Sequence, residues 1–263
     1  MTAVNPTKAN LISWWKLDET SGTRYDAHGS NDLSDINTVG YAAGKKGNAA
    51  NFTAANTEYL KIDDNASLSF ANESFTIVSW CKFKTVAAAG QVILGKWDYG
   101  YGKNEYVLLK LGSEYQLSFV VSSGGAGDII VRATTFGNVS TNTWYFVACI
   151  HDSANDKATI YVNDKSDSAN YSSGCNDNTA PFAIGAQFNK GSATSLLNGY
   201  VDETAMWRRA LTADEISWLY NSGSGRTYED LLSVKTINGI DIAKVKTING
   251  VDIAKVKSIW GIQ

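Results

Sequence analysis

Phe75-Thr76-Ile77-Val78-Ser79-Trp80-Cys81-Lys82-Phe83 is the run whose reading decides the fold. On an extended chain successive side chains point to opposite faces. Phe75, Ile77, Cys81 and Phe83 then share one face, with Ser79 as the exception, and the pattern predicts a half-buried strand. Ala158, Ile160 and Val162 alternate in the same way further on. Working outward, short β-rich runs recur at 12–17, 59–62, 74–84, 91–96, 106–111, 116–121, 129–135, 144–151, 157–162, 182–184 and 199–207. Clusters of Gly, Asn, Asp and Ser separate them, which is the punctuation of an all-β sandwich or barrel. A single helix is signalled by Thr212-Ala213-Asp214-Glu215, a capping box, followed by Ile216, Leu219 and Tyr220 at helical spacing.

The chain has 263 residues, 44% hydrophobic and 19% charged, which excludes a disordered or collagen-like chain. With 23 Lys+Arg against 26 Asp+Glu the net charge is −3, and this argues against a general phosphate-binding surface. The charge is uneven. From 233 to 263 there are five Lys and two Asp, or +3, which leaves 18 positive and 24 negative charges, or −6, on the rest. We therefore expect a domain at 1–232 and a distinct tail at 233–263. No stretch is long and apolar enough to span a membrane, and the N-terminus lacks the apolar core of a secretory signal. Cys81 and Cys149 sit in apolar runs and read as small buried hydrophobes, and Cys175 reads as a free thiol in a polar loop.

Four segments, in order, carry a family resemblance. They are Trp15–Gly22 with Tyr25-Asp26 and Gly47–Phe52; Ser74–Trp80; Trp144–Ala148 with Ile160–Asp164; and Asn198–Thr204 leading through Arg209–Thr212 into the capped helix. Together they resemble the laminin G-like branch of the concanavalin A-like lectin/glucanase superfamily, over about residues 12–222. One departure is Asp164, where the family usually has Gly, although Asp still suits a hairpin turn. The resemblance implies a two-sheet antiparallel jelly-roll sandwich with one short helix.

The superfamily includes endoglucanases, whose acidic residues lie on one strand face at Glu-x-Asp-x-Glu spacing. No such triplet occurs, and Asp202-Glu203 and Asp18-Glu19 are adjacent pairs that point to opposite faces. His28 and His151 have no triad or metal-type neighbourhood. We expect no enzyme activity. The resemblance also implies a structural calcium, Ca2+, held by Asp26 and Asp202 with Asn31 or Asp32 as a further ligand. The alternative is that Asp26 forms a turn and Asp202 is satisfied by loop amides.

Sugar binding would use exposed aromatics beside polar groups. The best candidate is the loop carrying Trp97, Asp98, Tyr99 and Tyr101, with Phe188 in a second loop at 187–190. The plainer reading has Trp97 covering the sandwich edge and the tyrosines anchoring the loop.

The tail is a repeat. Val234, Val245 and Val256 begin successive units eleven residues apart, and the first two units differ at one position. Asn238-Gly239 and Asn249-Gly250 predict type I′ hairpin turns. Val234, Ile237, Ile240, Ile242, Val245, Ile248, Ile253 and Trp260 are the residues expected to make assembly contacts, because so short a β-rich segment cannot bury a core alone. A lectin-like jelly roll, no visible signal peptide and a short C-terminal β-repeat together look like a bacteriophage virion protein, released by lysis. It would bind a cell-surface glycan and join other virion proteins or copies of itself through the repeat, as a homo-oligomer. It would take no nucleic acid. A purely structural capsid-decoration or tail-assembly protein is the second reading, and a secreted accessory module of a carbohydrate-active enzyme the third.

Overall fold

The computed structural model describes residues 3–86, 89–124, 128–232, 236–237, 240–241, 247–248 and 251–252. The chain forms two compact units, Met1–Arg226 and Thr227–Gln263. This division leaves the short 3-10 turn Tyr228–Leu232 with the tail, whereas the sequence reading drew its boundary after it.

The strands of the first unit, in chain order, are β1 (Leu11–Trp15), β2 (Ser34–Ile36), β3 (Gly40–Ala43), β4 (Asn48–Phe52), β5 (Tyr59–Ile62) and β6 (Phe75–Phe83). They continue with β7 (Gln91–Asp98), β8 (Lys103–Lys110), β9 (Leu117–Val121), β10 (Ile129–Arg132), β11 (Trp144–Asp152) and β12 (Lys157–Val162). The last are β13 (Lys165–Asn170), β14 (Phe182–Ile184), β15 (Gln187–Asn189), β16 (Ser192–Thr194) and β17 (Gly199–Trp207). They make a two-sheet jelly-roll sandwich. One sheet runs β13-β12-β11-β6-β17-β4-β3, with β1 also on β17, and the other runs β10-β9-β8-β7-β14-β5-β2. Among the described residues the strand ladders are antiparallel apart from the parallel bridge between Phe188 and Asp98, and an isolated parallel bridge joins Phe83 to Thr141.

β6 sits at the centre of its sheet, paired with β11 and β17. Its inward residues Phe75, Ile77, Cys81 and Phe83 are in the core as the alternation requires. Ser79 is buried as well, and its hydroxyl meets Thr204 Oγ1 at 2.9 Å, so the polar exception is satisfied. Aromatic rings join the sheets: Trp15 stacks on Phe182 at 5.3 Å, and Phe75 touches Tyr106 at 5.4 Å and Phe119 at 6.1 Å. Each such buried ring is worth about 2–3 kcal/mol of hydrophobic transfer.

The helix α1 (Ala213–Tyr220) begins with the expected capping box. Glu215 N donates to Thr212 Oγ1 at 3.3 Å, and Thr212 N donates to Glu215 Oε2 at 2.8 Å. Ile216 and Leu219 are buried, and Tyr220 stacks on Trp80 at 6.1 Å, which lays the helix on the outer face of the first sheet. The β12–β13 hairpin turns on Asn163-Asp164, with Asn163 left-handed at φ 54°, so the missing glycine costs this turn little. All three cysteines are buried and unpaired. Cys175 departs from the expected polar-loop setting, because its thiol is covered and donates to the Glu105 carbonyl at 3.4 Å.

In the second unit, Thr236–Ile237 pairs antiparallel with Ile240–Asp241, and Thr247–Ile248 with Val251–Asp252. These pairs flank the two Asn-Gly dipeptides. Val234, Ile242, Val245, Ile253 and Trp260 lie outside the described residues. No helix among the described residues is long and apolar enough to cross a membrane.

Candidate functional site

The two loops singled out in the sequence meet in space. β7 ends at Trp97-Asp98, the 3-10 turn Tyr99–Tyr101 follows, and β8 begins at Lys103. The Asp98 carboxylate crosses to the β15–β16 turn, where Oδ1 accepts from Lys190 N at 2.7 Å and Oδ2 from Gly191 N at 2.9 Å. Gly100 is required by the same contact. A Cβ there would stand 2.1 Å from Asn189 Oδ1 and 2.8 Å from Lys190 N, so no larger residue allows the loops to close.

Three expected sugar contacts are corrected. Trp97 is 8% exposed and packs with Val92, Val107 and Val120. Those valines alternate with the core residues Leu108, Phe119 and Val121, so the cluster lies on the outer face of the second sheet. Phe188 is 3% exposed and meets Tyr59 edge-on at 5.7 Å. Neither ring has a free face for a pyranose. Asp98 is equally buried, and both its oxygens are spent on backbone amides. What remains at the tip is Tyr99, 46% exposed, and Tyr101, 60% exposed, with the Lys103 ammonium 5.7 Å from the Tyr101 ring centre.

Beneath the hairpin lies a buried charge cluster. Lys96 Nζ contacts Glu105 Oε2 at 3.1 Å and Asp64 Oδ1 at 2.9 Å, and it also donates to the Asn178 carbonyl. Burial pushes the Glu105 carboxyl up to about 7, against the opposing pull of Lys96 and of the Phe70 amide at 3.0 Å.

The expected calcium ligands do not form one shell. Asp26 Oδ1 accepts from the amides of Trp14 and His28, both at 3.0 Å, and Oδ2 accepts from Asn31 N at 3.1 Å. Asn31 Nδ2 donates to Ser13 Oγ at 2.8 Å, while its Oδ1 accepts from Asn65 and Ser67. Calcium would have to compete with the donors already on the Asp26 and Asn31 oxygens. Asp202 faces a different turn, accepting from Lys45 N at 2.6 Å and Lys46 N at 2.9 Å. Burial raises its carboxyl to about 7. Among the described residues no three His, Cys, Asp or Glu side chains gather as metal ligands. The trio Asp26, Asn31 and Asp202 does not fit the ion as it stands: Asp26 and Asn31 already hold protein donors, while Asp202, whose Oδ1 is buried without a hydrogen-bond partner, faces a different turn.

An aromatic–basic cluster on the outer face of the first sheet was not anticipated. Trp144, Lys82 and Tyr200 are register neighbours on β11, β6 and β17. The Lys82 ammonium lies 4.8 Å from the Trp144 ring centre and 4.4 Å from that of Tyr200. Only the pairing of three strands distant in sequence brings these residues together.

The fold recurs in solved structures. The binding domain of Paraclostridial Mosquitocidal Protein 1 is 17% identical, with a TM-score of 0.66, 81% of this chain covered and 52% of that one. Domain 4 of the extracellular arabinanase AbnA from Geobacillus stearothermophilus, solved in complex with arabinotriose, is 18% identical at a TM-score of 0.57 over 83% and 99%. A Trypanosoma rangeli sialidase is 18% identical at 0.61, over 84% of this chain and 34% of that one. The chain thus spans about half of the toxin fragment it resembles. No curated protein matches the sequence significantly. Residues 54–217 match the family model Laminin_G_3, and the chain belongs to the concanavalin A-like lectin/glucanase superfamily.

Proposed function

We propose that this chain is a non-catalytic glycan-binding module of a bacteriophage virion, displayed through its sandwich and anchored through its C-terminal repeat. One observation carries the binding role: two tyrosines stand exposed on a turn that Asp98 and Gly100 hold rigid. A fixed, exposed aromatic loses little conformational freedom when a sugar ring stacks on it. The similar arabinanase domain, solved with a bound oligosaccharide, supports the same chemistry on this fold. The non-catalytic reading is supported by the dispersal of the acidic pair on β17. Asp202 accepts from loop amides, while Glu203 accepts from the Trp14 indole.

A glycan array probed with the wild-type chain and with Tyr99→Ala/Tyr101→Ala tests the binding role. Binding that falls at least about tenfold in the double variant supports it, on the scale of one to three stacking contacts. Unchanged binding sinks it. Truncation after Leu232 tests the tail. Light scattering should show an oligomer converted to a monomer, and an unchanged mass contradicts the anchoring role.

A further inference from the structure

One buried lysine faces two carboxylates. Lys96 lies on β7, with the core residues Tyr106 and Phe182 as its register partners, and its side chain is 0% exposed. Lysine is rarely buried so completely unless it is paired. Its Nζ meets Asp64 Oδ1 at 2.9 Å and Glu105 Oε2 at 3.1 Å, and it donates to the Asn178 carbonyl.

The two acids differ in setting. Glu105 is 0% exposed and fixed in place, with Oε1 accepting from Phe70 N at 3.0 Å and Oε2 from Ser69 Oγ at 3.4 Å. Asp64 follows the end of β5, and its side chain is 36% exposed. The neighbouring Asp63 pairs with Lys61 at 2.9 Å, so it is Asp64 that turns to Lys96. The side chain of Asn178 is spent on the Asn176 carbonyl and the Ala180 amide, so it does not compete for the lysine.

An ion pair needs only one carboxylate. Here a second, closed off from water, meets the same nitrogen, and burial lifts it to about 7 against the pull of Lys96. A carboxyl that titrates near neutrality both takes and gives a proton at pH 7. A nucleophilic nitrogen, an acyl carbon and a proton carrier are the parts required to form an amide. The 2.9 Å contact puts the Asp64 carboxyl carbon close to the attack range of about 3–3.5 Å, and partners held this way react as if at about 100,000 M or more.

We propose that Lys96 and Asp64 join through an intramolecular amide bond between Nζ and Cγ, with Glu105 as the catalytic residue that moves the protons. One proton passes from Nζ to the Asp64 carboxylate, leaving an amine and a carboxylic acid. The Nζ lone pair then forms the bond to Cγ. Glu105 takes a second proton from Nζ and delivers it to the hydroxyl of the acid, the Cγ–O bond breaks, and water leaves. Glu105 ends as it began, and no oxidant or reductant takes part. Nζ keeps one hydrogen, with the Asn178 carbonyl at hand to accept it. Two charges become one neutral amide, which removes the cost of holding them out of water. The bond takes away the pull of Lys96 on Glu105 and leaves that carboxyl raised by burial.

In the sheet β14 separates β5 from β7, so this bond spans a strand and ties the segment after β5 to the stem of the tyrosine hairpin. The reaction occurs once, within the chain itself, and is independent of any glycan bound at the hairpin.

Intact-mass spectrometry of the purified full chain, kept at pH 7, tests this. The wild type should be lighter than its sequence by one water, about 18 Da. Trypsin should release a branched peptide joining residues 62–82 to 85–103, uncut after Lys96. Asp64→Ala, a change at a partly exposed side chain, should keep its full mass. Glu105→Gln should link at least about a hundredfold more slowly and stay largely unlinked when the wild type is complete. Should Glu105→Gln fail to fold, the wild type and Asp64→Ala decide the matter alone. The proposal is overturned if the wild type keeps its full mass, if the lost mass maps outside Asp64 and Lys96, or if either variant links as the wild type does.

Discussion

The β7–β8 and β11–β12 hairpins each carry an aspartate near their turn, Asp98 and Asp156, and use it in opposite ways. Asp98 is buried and spends both oxygens on the amides of Lys190 and Gly191. Asp156 is exposed, and its backbone carbonyl rather than its carboxylate ties the loops together. The lesson is that residue type does not separate a brace from a side chain still free to make contacts. Hydrogen-bond commitment does, because a saturated carboxylate must give up existing bonds to bind anything.

The largest effect should come from breaking the brace. Asp98→Ala leaves two amides without their acceptor and should cost about 1–3 kcal/mol in urea unfolding. A loss near zero would mean that water replaces Asp98 freely, and the rigidity argument for the tyrosine turn would fail.

A second, smaller effect concerns the charge cluster under the same hairpin. Glu105 titrates higher in the folded chain, about 7, than its ordinary value of 4.5. The folded state therefore holds that proton more tightly, so this group's contribution grows as pH falls through 7 and is lost as pH rises. Between about pH 7.5 and 5.5 the wild type should gain about 1–2 kcal/mol relative to Glu105→Gln, as read by urea unfolding at each pH. Equal slopes for the two chains would contradict a Glu105 carboxyl raised by burial beyond what Lys96 and the Phe70 amide offset. Asp202, also raised to about 7 by burial, acts in the same direction in both chains. His151, lowered by burial, acts in the opposite direction in both.

The smallest effect should be on the unspent side. Asp156 is left-handed at φ 49°. Asp156→Asn keeps a residue that tolerates this backbone, and should change stability by no more than about 0.5 kcal/mol. A large loss would show Asp156 to be structural after all.

Much of this fold was legible because burial imprints period two. β6, β12, β14 and β17 were bounded within a residue, and the capping box placed α1. β13 was not legible, because Lys165–Asn170 is an edge strand with almost no apolar residue to alternate. β15 and β16 carry one apolar residue each, so neither gives the apolar run that marks the equally short β14. The site was half legible. Exposed Tyr99 and Tyr101 follow from a polar, glycine-containing turn, but the burial of Trp97 depends on Val92, Val107 and Val120 arriving from three strands. The fate of Asp98 depends on amides more than ninety residues away. The Asp64–Lys96–Glu105 cluster gives no local signal, because Asp64 follows β5 while Lys96 and Glu105 lie on β7 and β8.

A crystal structure of the full chain with the tightest glycan found on an array tests the central claim most directly. A sugar ring should lie against Tyr99 or Tyr101, with Trp97, Asp98 and Phe188 unmoved beneath it. A glycan seated instead on the Lys82–Trp144–Tyr200 face, with the hairpin bare, would contradict it.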